Sequence, residues 1–317
     1  MTQTNGEACD VVVCCYNHGA YIEKAIGSVL CQDSDRLGTI FVCDDASPDN
    51  TAAVVARVKA TSDKGHKIQW HGRATNAGPA INFREGVMRV TSPYIAFLDG
   101  DDYWSHPSKL THQLALLDSE PQMVYCGHEY VFMAEDGTIH GVFPQTQRPE
   151  YVLRRLPNLG EIEQIIVNPD LLFTENTCGF HMNAVVGRRA ILQHTLLPEW
   201  DDLKVGDWPW FWLSSELGEV GLIKARWANN IKHQGSAFNE FLAAKKLIYI
   251  IQMLLRLGLS QNSHNRAINQ FLVRSYQANL QLSLSQLTAL ELHEVTETIL
   301  EINEPELITI VFAESLN

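Results

Sequence analysis

The chain has 317 residues, enough for one or two domains, with 45% hydrophobic and 19% charged residues, ordinary globular proportions. Its net charge of −13, from 24 Lys and Arg against 37 Asp and Glu, excludes the broad basic footprint of a nucleic-acid binder. The same balance disfavours a polybasic grip on anionic lipid, which leaves peripheral membrane association as the upper bound. An acidic chain that handles phosphates needs a metal ion or a few placed cations.

Residues 1–10 are polar and carry neither the basic start nor the apolar stretch of a secretory signal. Val11–Cys15 is a short continuous apolar run, the pattern of a strand buried on both faces. Residues 21–32 carry Ile22, Ala25, Ile26, Val29 and Leu30 at helical spacing. A second strand is predicted over 39–43 and a second helix over 49–60, with Ala53, Val54 and Val58 inward. A strand over 67–71, a helix over 78–90 and a strand over 94–98 follow. This alternation means a parallel sheet with crossover helices, an α/β fold.

After Asp102 the rhythm changes. Residues 107–119 read as a helix with Leu110, Leu114 and Leu117 on one face and Pro107 near its first turn. Residues 123–133 and 139–143, separated by Asp136-Gly137, read as a hairpin. The stretch 148–177 reads as mixed loop and helix. A strand over 178–187, a short helix over 188–194, an aromatic helix over 207–217 and a strand over 220–225 complete the region.

Beyond Ser236, leucine, isoleucine, glutamine and alanine recur at helical spacing, with Leu247, Ile250, Ile251 and Leu254 on one face. Three or four helices are expected there, basic before Asn279 and acidic after Leu290, so that the two parts pack together. The longest apolar stretch, 247–259, is interrupted by Gln252 and Arg256 and falls short of the roughly 20 residues of a membrane span. We therefore divide the chain into a domain over 1–235 and a helical appendage over 236–317, available for acceptor docking or self-association into a homo-oligomer. Seven cysteines, none in a C-x-x-C pair, read as reduced thiols of a cytoplasmic protein.

The chemistry is narrowed by elimination first. No GxGxxG follows the first strand, where the sequence is Cys14-Cys15-Tyr16-Asn17-His18-Gly19. Neither a P-loop, a G-x-S-x-G elbow nor an H-E-x-x-H motif occurs. The carboxylates stand out instead: Asp44 and Asp45 follow the second strand, and Asp99, Asp101 and Asp102 follow the fourth. Ligands of open parallel sheets bind at the carboxyl ends of strands. Acidic clusters at two such ends repel each other unless a cation or a ligand's donor group joins them. A hard divalent ion bridging to substrate phosphates is one reading. A solvated Asp-Gly-Asp-Asp turn is the other.

These motifs resemble those of family 2 glycosyltransferases with the GT-A fold, a Rossmann-like, mostly parallel sheet with flanking helices. The similarity is carried by residues 11–18, by the segment Asp44-Asp45-Ala46-Ser47-Pro48-Asp49-Asn50-Thr51, by Asn76-Ala77-Gly78, and by residues 94–104 with Lys109, Leu110 and Gln113 beyond. It is strong over about 8–130 and thins afterwards. Asp207-Trp208 resembles the place of the family's general base, and residues 232–236 the segment after its last strand. Two departures are Gly206, where many members carry an acidic residue, and Asn82-Phe83-Arg84, where Ala-Arg-Asn is common.

The resemblance implies an inverting, metal-dependent transfer from a nucleotide-sugar, expected to be a UDP-sugar, to a glycan or lipid-linked glycan. It places Tyr16 against the base, Asp45 with Asp44 beside the base's ring nitrogen, and Asp99 on the ribose next to Gly100. Asn76 and Gly78 border the donor site, and Arg73 either faces the donor phosphates or is solvated. Asp101 would ligate Mn²⁺ or Mg²⁺, and His233 either ligates the same ion or is a surface histidine. Asp207 would act as general base. Trp104 and Trp208 are acceptor-side candidates, although helix-spaced aromatics such as Trp208, Trp210, Phe211 and Trp212 also suit a core. Two rivals are a sugar-nucleotidyltransferase, which needs a basic glycine-rich loop where Tyr16-Asn17-His18-Gly19 stands, and a non-catalytic binding module on the same fold.

Overall fold

The computed structural model describes residues 8–145, 147–175, 180–196, 201, 203, 207–233, 243–257, 263–302, 305 and 307–308, the side chains of 173–175, 207–209, 256–257 and 263–271 excepted. The chain falls into two compact units, Met1–Asp202 with Gly206–His233, and Leu203–Val205 with Gln234–Asn317.

The first unit opens with β1 (Cys9–Cys15), α1 (Ile22–Leu30), β2 (Leu37–Asp44), α2 (Thr51–Thr61), β3 (Ile68–Gly72), α3 (Pro79–Arg89) and β4 (Tyr94–Asp99). The apolar run of β1 is buried because both of its neighbours, β2 and β4, pair with it in parallel. α1 buries Ile22, Ala25, Ile26, Val29 and Leu30, the face its spacing predicts. α2 buries Val55 alongside Val54 and Val58, while Ala53 is exposed. α3 starts with Pro79 at its first turn, after Gly78 at φ 92°, a backbone conformation that favours glycine.

Next come β5 (Tyr103–Trp104), α4 (Lys109–Ser119), β6 (Met123–Ala134), β7 (Ile139–Phe143), β8 (Val152–Arg155), β9 (Gln164–Val167), α5 (Pro169–Glu175), β10 (Val186–Arg188), α6 (Arg189–His194), α7 (Asp207–Ser215) and β11 (Glu219–Lys232). One sheet takes the order β3-β2-β1-β4-β10-β6-β11-β9-β8, with β5 on β11 and β7 on β6. The segment β3-β2-β1-β4 is parallel, and β10 lies antiparallel between β4 and β6. This is the GT-A architecture, a mostly parallel central sheet with helices on its flanks.

Three differences from the sequence reading have physical causes. The stretch read as loop and helix contains the antiparallel pair β8–β9. β8 is an edge strand whose Leu153, Arg154 and Arg155 are exposed, so no alternation marks it. The strand expected over 178–187 is only Val186–Arg188, after a 3₁₀ turn at Met182–Ala184; Cys178 lies outside the described residues. The strand expected over 220–225 continues to Lys232, and register shifts around Arg226 break its period while letting it bend along β6.

The second unit holds α8 (Ala243–Leu257), α9 (Ser263–Leu284) and α10 (Ala289–Ile302). Ala244, Ile248, Ile251, Leu280, Val295, Ile299 and Leu307 form its core. Lys245 of α8 pairs with Glu294 of α10 at 2.5 Å, joining the basic and acidic parts. Among the described residues no helix is long and apolar enough to cross a membrane.

One buried lysine ties the first unit together. Lys109 is fully buried at the start of α4, donates to Gln113 Oε1 at 2.7 Å and lies 4.1 Å from the centre of the Trp104 ring. Gln113 passes the connection on, donating to the carbonyls of Cys126 (3.0 Å) and Ala184 (2.9 Å). Burial pushes the Lys109 amine down from 10.5 to about 7. A depressed amine pKa means that between these values the unfolded chain holds a proton that the folded chain has released. Stability therefore rises with pH across that window. Urea midpoints measured from pH 7 to 10 are expected to climb for the parent and to flatten for Lys109→Met. Parallel curves for the two proteins would contradict it.

Candidate active site at the carboxyl ends of the parallel strands

Register brings the motif residues together. Cys15 of β1 lies opposite Asp44 of β2, and Cys14 lies opposite Asp99 of β4. Three loops therefore leave the sheet side by side, about 4.8 Å apart at their roots. The first two are stitched to each other. The backbone N–H groups of Asn17, His18 and Gly19 donate to Ser47 Oγ (2.8 Å), Thr51 Oγ1 (3.1 Å) and Asp49 Oδ2 (2.8 Å). Asn17 and Ala46 take left-handed φ values of 59° and 62°, a strain that these bonds hold in place.

Several candidate residues have structural duties in this scaffold. Asp44 is buried and turned inward, accepting from Ser47 Oγ, from the Ser47 N–H at 3.0 Å and from Cys15 Sγ at 3.7 Å. This corrects its reading as a donor contact, because its carboxylate closes its own turn. Asp45, only 2% exposed, accepts the N–H groups of Ala77 (2.9 Å) and Gly78 (2.8 Å), while Asn76 Nδ2 donates to its carbonyl at 3.0 Å. It pins the loop that precedes α3. Arg73 is engaged with Glu85 at 2.5 Å and Asp45 at 3.6 Å, so it is not a solvated arginine. Arg84, which stands in the departure from the common pattern, forms a two-point pair with Asp201 at 2.5 and 2.6 Å. Tyr16 projects from the end of β1 with 47% of its surface exposed.

The third loop carries the acids. Gly100 donates its N–H to the Cys14 carbonyl at 2.7 Å, which draws the loop against β1. Asp102 is the buried anchor, 1% exposed, accepting from Asn183 Nδ2 (2.8 Å), Asn230 Nδ2 (3.0 Å) and the Ile231 N–H (2.8 Å). Burial pushes its carboxyl well up, and neighbouring Asp101 and Asp99 add to that, against the pull of the Ile231 and Asn230 donors. Asp101 points the other way. Its Oδ2 lies 2.9 Å from His233 Nε2 and 3.6 Å from His18 Nε2. Burial works to raise this carboxyl too, but the His233 hydrogen bond and the charges of His18 and His233 outweigh it and hold it low. The bond to Asp101 raises His233 in turn, whereas burial lowers His18.

Among the described residues two sets of donor atoms result, each within 4.8 Å of one another: His18 with Asp101 and His233, and Asp99 with Asp102 and His181. His181 is a site residue that the sequence reading missed, 3.7 Å from both Asp99 and Asp102. No spacing signal marks it, since it comes from a turn about eighty positions downstream of the acids. A cavity of about 370 Å³ opens beside Asp101, between Tyr21, Lys24, Tyr103 and the turn at 134–137.

Trp104 requires correction. It is 4% exposed, its indole N–H donates to the Asn183 carbonyl at 2.8 Å, and it belongs to the main core. It presents no face to an acceptor. Trp210 and Phe211 are likewise fully buried. Asp207 opens α7, but its side chain and that of Trp208 lie outside the described residues.

Comparison with known proteins agrees with this geometry. Residues 10–178, more than half of the chain, match the family model for Glycosyl transferase family 2. The chain belongs to that family. It is 32% identical over 128 residues to the putative teichuronic acid biosynthesis glycosyltransferase TuaG of Bacillus subtilis, covering 40% of this chain and 48% of the relative. It is 27% identical over 146 residues to the Escherichia coli UDP-Glc:alpha-D-GlcNAc-diphosphoundecaprenol beta-1,3-glucosyltransferase WfaP, covering 46% and 54%. The chain thus spans only about half the length of these curated relatives. In fold it is similar to S. aureus TarS 1–349 in complex with UDP-GlcNAc, with a TM-score of 0.65 at 15% identity, covering 96% of this chain and 81% of the other.

The close approach at Gly100 yields a stability test. A Cβ there would meet Cys15 Cβ at 2.7 Å, His18 Nδ1 at 2.8 Å and Ile22 Cδ1 at 3.0 Å, whereas one at Gly27 in α1 meets nothing within 4 Å. Gly100→Ala is expected to cost about 1–3 kcal/mol in urea denaturation by overpacking. Gly27→Ala is expected to stabilise by about 0.5–1 kcal/mol through helix propensity. Equal effects of the two substitutions would show that the loop yields freely.

Proposed function

We propose that this chain is an inverting, metal-dependent glycosyltransferase that moves a sugar from a UDP-sugar to a hydroxyl of a glycan or lipid-linked glycan. The observation that carries the proposal is the convergence of Tyr16, Asp45, Asp99 and Asp101, with His233, at the adjoining ends of β1, β2 and β4. The donor class is supported by the UDP-GlcNAc bound in TarS and the UDP-Glc in the name of WfaP. That name also contains a lipid-linked acceptor, a diphosphoundecaprenol, and TuaG's refers to teichuronic acid biosynthesis. The thiols of Cys9, Cys15, Cys43 and Cys126 are free and buried, which fits a cytoplasmic place of action.

In this reading the base of the donor lies on the Tyr16 ring. Asp45 keeps lone pairs beyond its two backbone donors for a ring N–H, since a carboxylate offers about four acceptor sites. Asp99 takes a ribose hydroxyl. Asp101 and His233 fit a divalent cation, because a low-pKa carboxylate and an imidazole already face one point. Such an ion, Mn²⁺ or Mg²⁺, neutralises charge on the diphosphate leaving group.

Transfer is a single displacement. The acceptor oxygen attacks the anomeric carbon, the bond from that carbon to the diphosphate oxygen breaks, and the acceptor proton passes to the Asp207 carboxylate. One displacement inverts the anomeric centre, and no covalent intermediate forms.

Two measurements test the assignments. Calorimetry with UDP is expected to show affinity that depends on added Mn²⁺ and collapses in EDTA and in Asp101→Asn. UDP affinity indifferent to metal would remove Asp101 from this role. Asp207→Asn is close to the parent in size but cannot take the proton, and general base assistance is typically worth about 10²–10⁴-fold. The variant is expected to fold and bind UDP like the parent while losing transfer by at least about a hundredfold. Near-parental transfer would remove Asp207 from this role.

A further inference from the structure

We propose that His18 is a third protein ligand of the cation held by Asp101 and His233, so that two imidazoles and one carboxylate grip it. This rests on the metal reading above for the latter two residues. His18 Nε2 stands 3.6 Å from Asp101 Oδ2, beyond hydrogen-bond reach, and its Nδ1 is buried without a hydrogen-bond partner. Nε2 thus faces the Asp101 carboxylate without bonding to it, on a ring that is largely enclosed. Nδ1 lies on the Gly100 side, so Nε2 is the atom turned towards Asp101 and free to join a cation there.

The ring is also held in position. The His18 N–H donates to Thr51 Oγ1 at 3.1 Å, and its carbonyl accepts the N–H groups of Tyr21 and Ile22, each at 2.9 Å. Gly100 packs against its Nδ1 edge. The His18 and His233 rings approach edge to face, with centroids 6.2 Å apart and planes at 84°. Donor atoms bound to one ion by bonds of about 2.1 Å stand about 3.0 Å apart at a right angle and about 3.4 Å apart at a tetrahedral angle. The separations at Asp101, 2.9 Å to His233 and 3.6 Å to His18, bracket those values.

The donor set has a consequence for metal choice. Imidazole nitrogens suit transition ions, whereas Mg²⁺ prefers oxygen and retains its water. The chain therefore selects Mn²⁺ or a later first-row ion over Mg²⁺ through its own nitrogens, before any nucleotide arrives.

Electron spin-echo spectroscopy of Mn²⁺ bound to the full chain without nucleotide reads the coordinated nitrogens directly. The parent is expected to show two imidazole nitrogens. His18→Gln, checked for folding by its thermal midpoint, is expected to retain one and to bind Mn²⁺ at least about tenfold more weakly. Its Mg²⁺ affinity should change less. A parent spectrum with a single nitrogen overturns the proposal and needs no variant. So does parental Mn²⁺ affinity in His18→Gln when Asp101→Asn has lost it, an outcome that leaves the metal reading intact. Unchanged Mn²⁺ binding in Asp101→Asn would instead defeat the reading beneath.

Discussion

The site depends on one buried carboxylate. Asp102 accepts donors from Asn183, from Asn230 and from the Ile231 backbone, three groups from two distant stretches of chain. A carboxylate this deep is costly unless its lone pairs are met, and breaking such an arrangement leaves the remaining groups unpaired. The third loop is therefore clamped to the end of β11. That clamp sets where Asp101 and Asp99 point, and it brings His233, two residues past Ile231, against Asp101. Moving β11 by one residue would exchange the faces presented by Asn230 and Ile231 and dismantle both clusters.

Charges around the crevice of this acidic chain are balanced by close partners. Nearby cations are already engaged: Arg73 with Glu85 and Asp45, and Lys24 over the Tyr103 ring at 3.4 Å. Imidazoles also relieve the repulsion among Asp99, Asp101 and Asp102 without placing permanent positive charge in the crevice. The Asp44-to-Thr51 motif serves the same end from below. Ser47, Asp49 and Thr51 fasten the loop that carries Tyr16 and His18, so part of what looks like a binding motif is framework.

Much of this could be read from the linear order of residues. Apolar runs with period-two and helical spacing placed β1, α1, β2 and β4, because each element buries a face that its own residues define. Acids directly after β2 and β4 announced a site at strand ends, since parallel strands put their carboxyl ends on one edge of the sheet. The free, buried thiols and the paired charges of α8 and α10 followed from composition in the same way.

What lay beyond the linear order was settled by contacts between residues far apart in it. Nothing local separates Asp44, closed on Ser47, from Asp101, open to two histidines; the difference lies in what packs against each. Trp104 has the composition of a sugar platform, yet the core takes it because Asn183, 79 positions away, receives its N–H. β8 lacks alternation because it is an edge, and β11 loses its period where it bends along β6. His18 and His181 joined the acids only through folding. A side chain's type sets what it can bind, but its neighbours in space decide which of its atoms remain available.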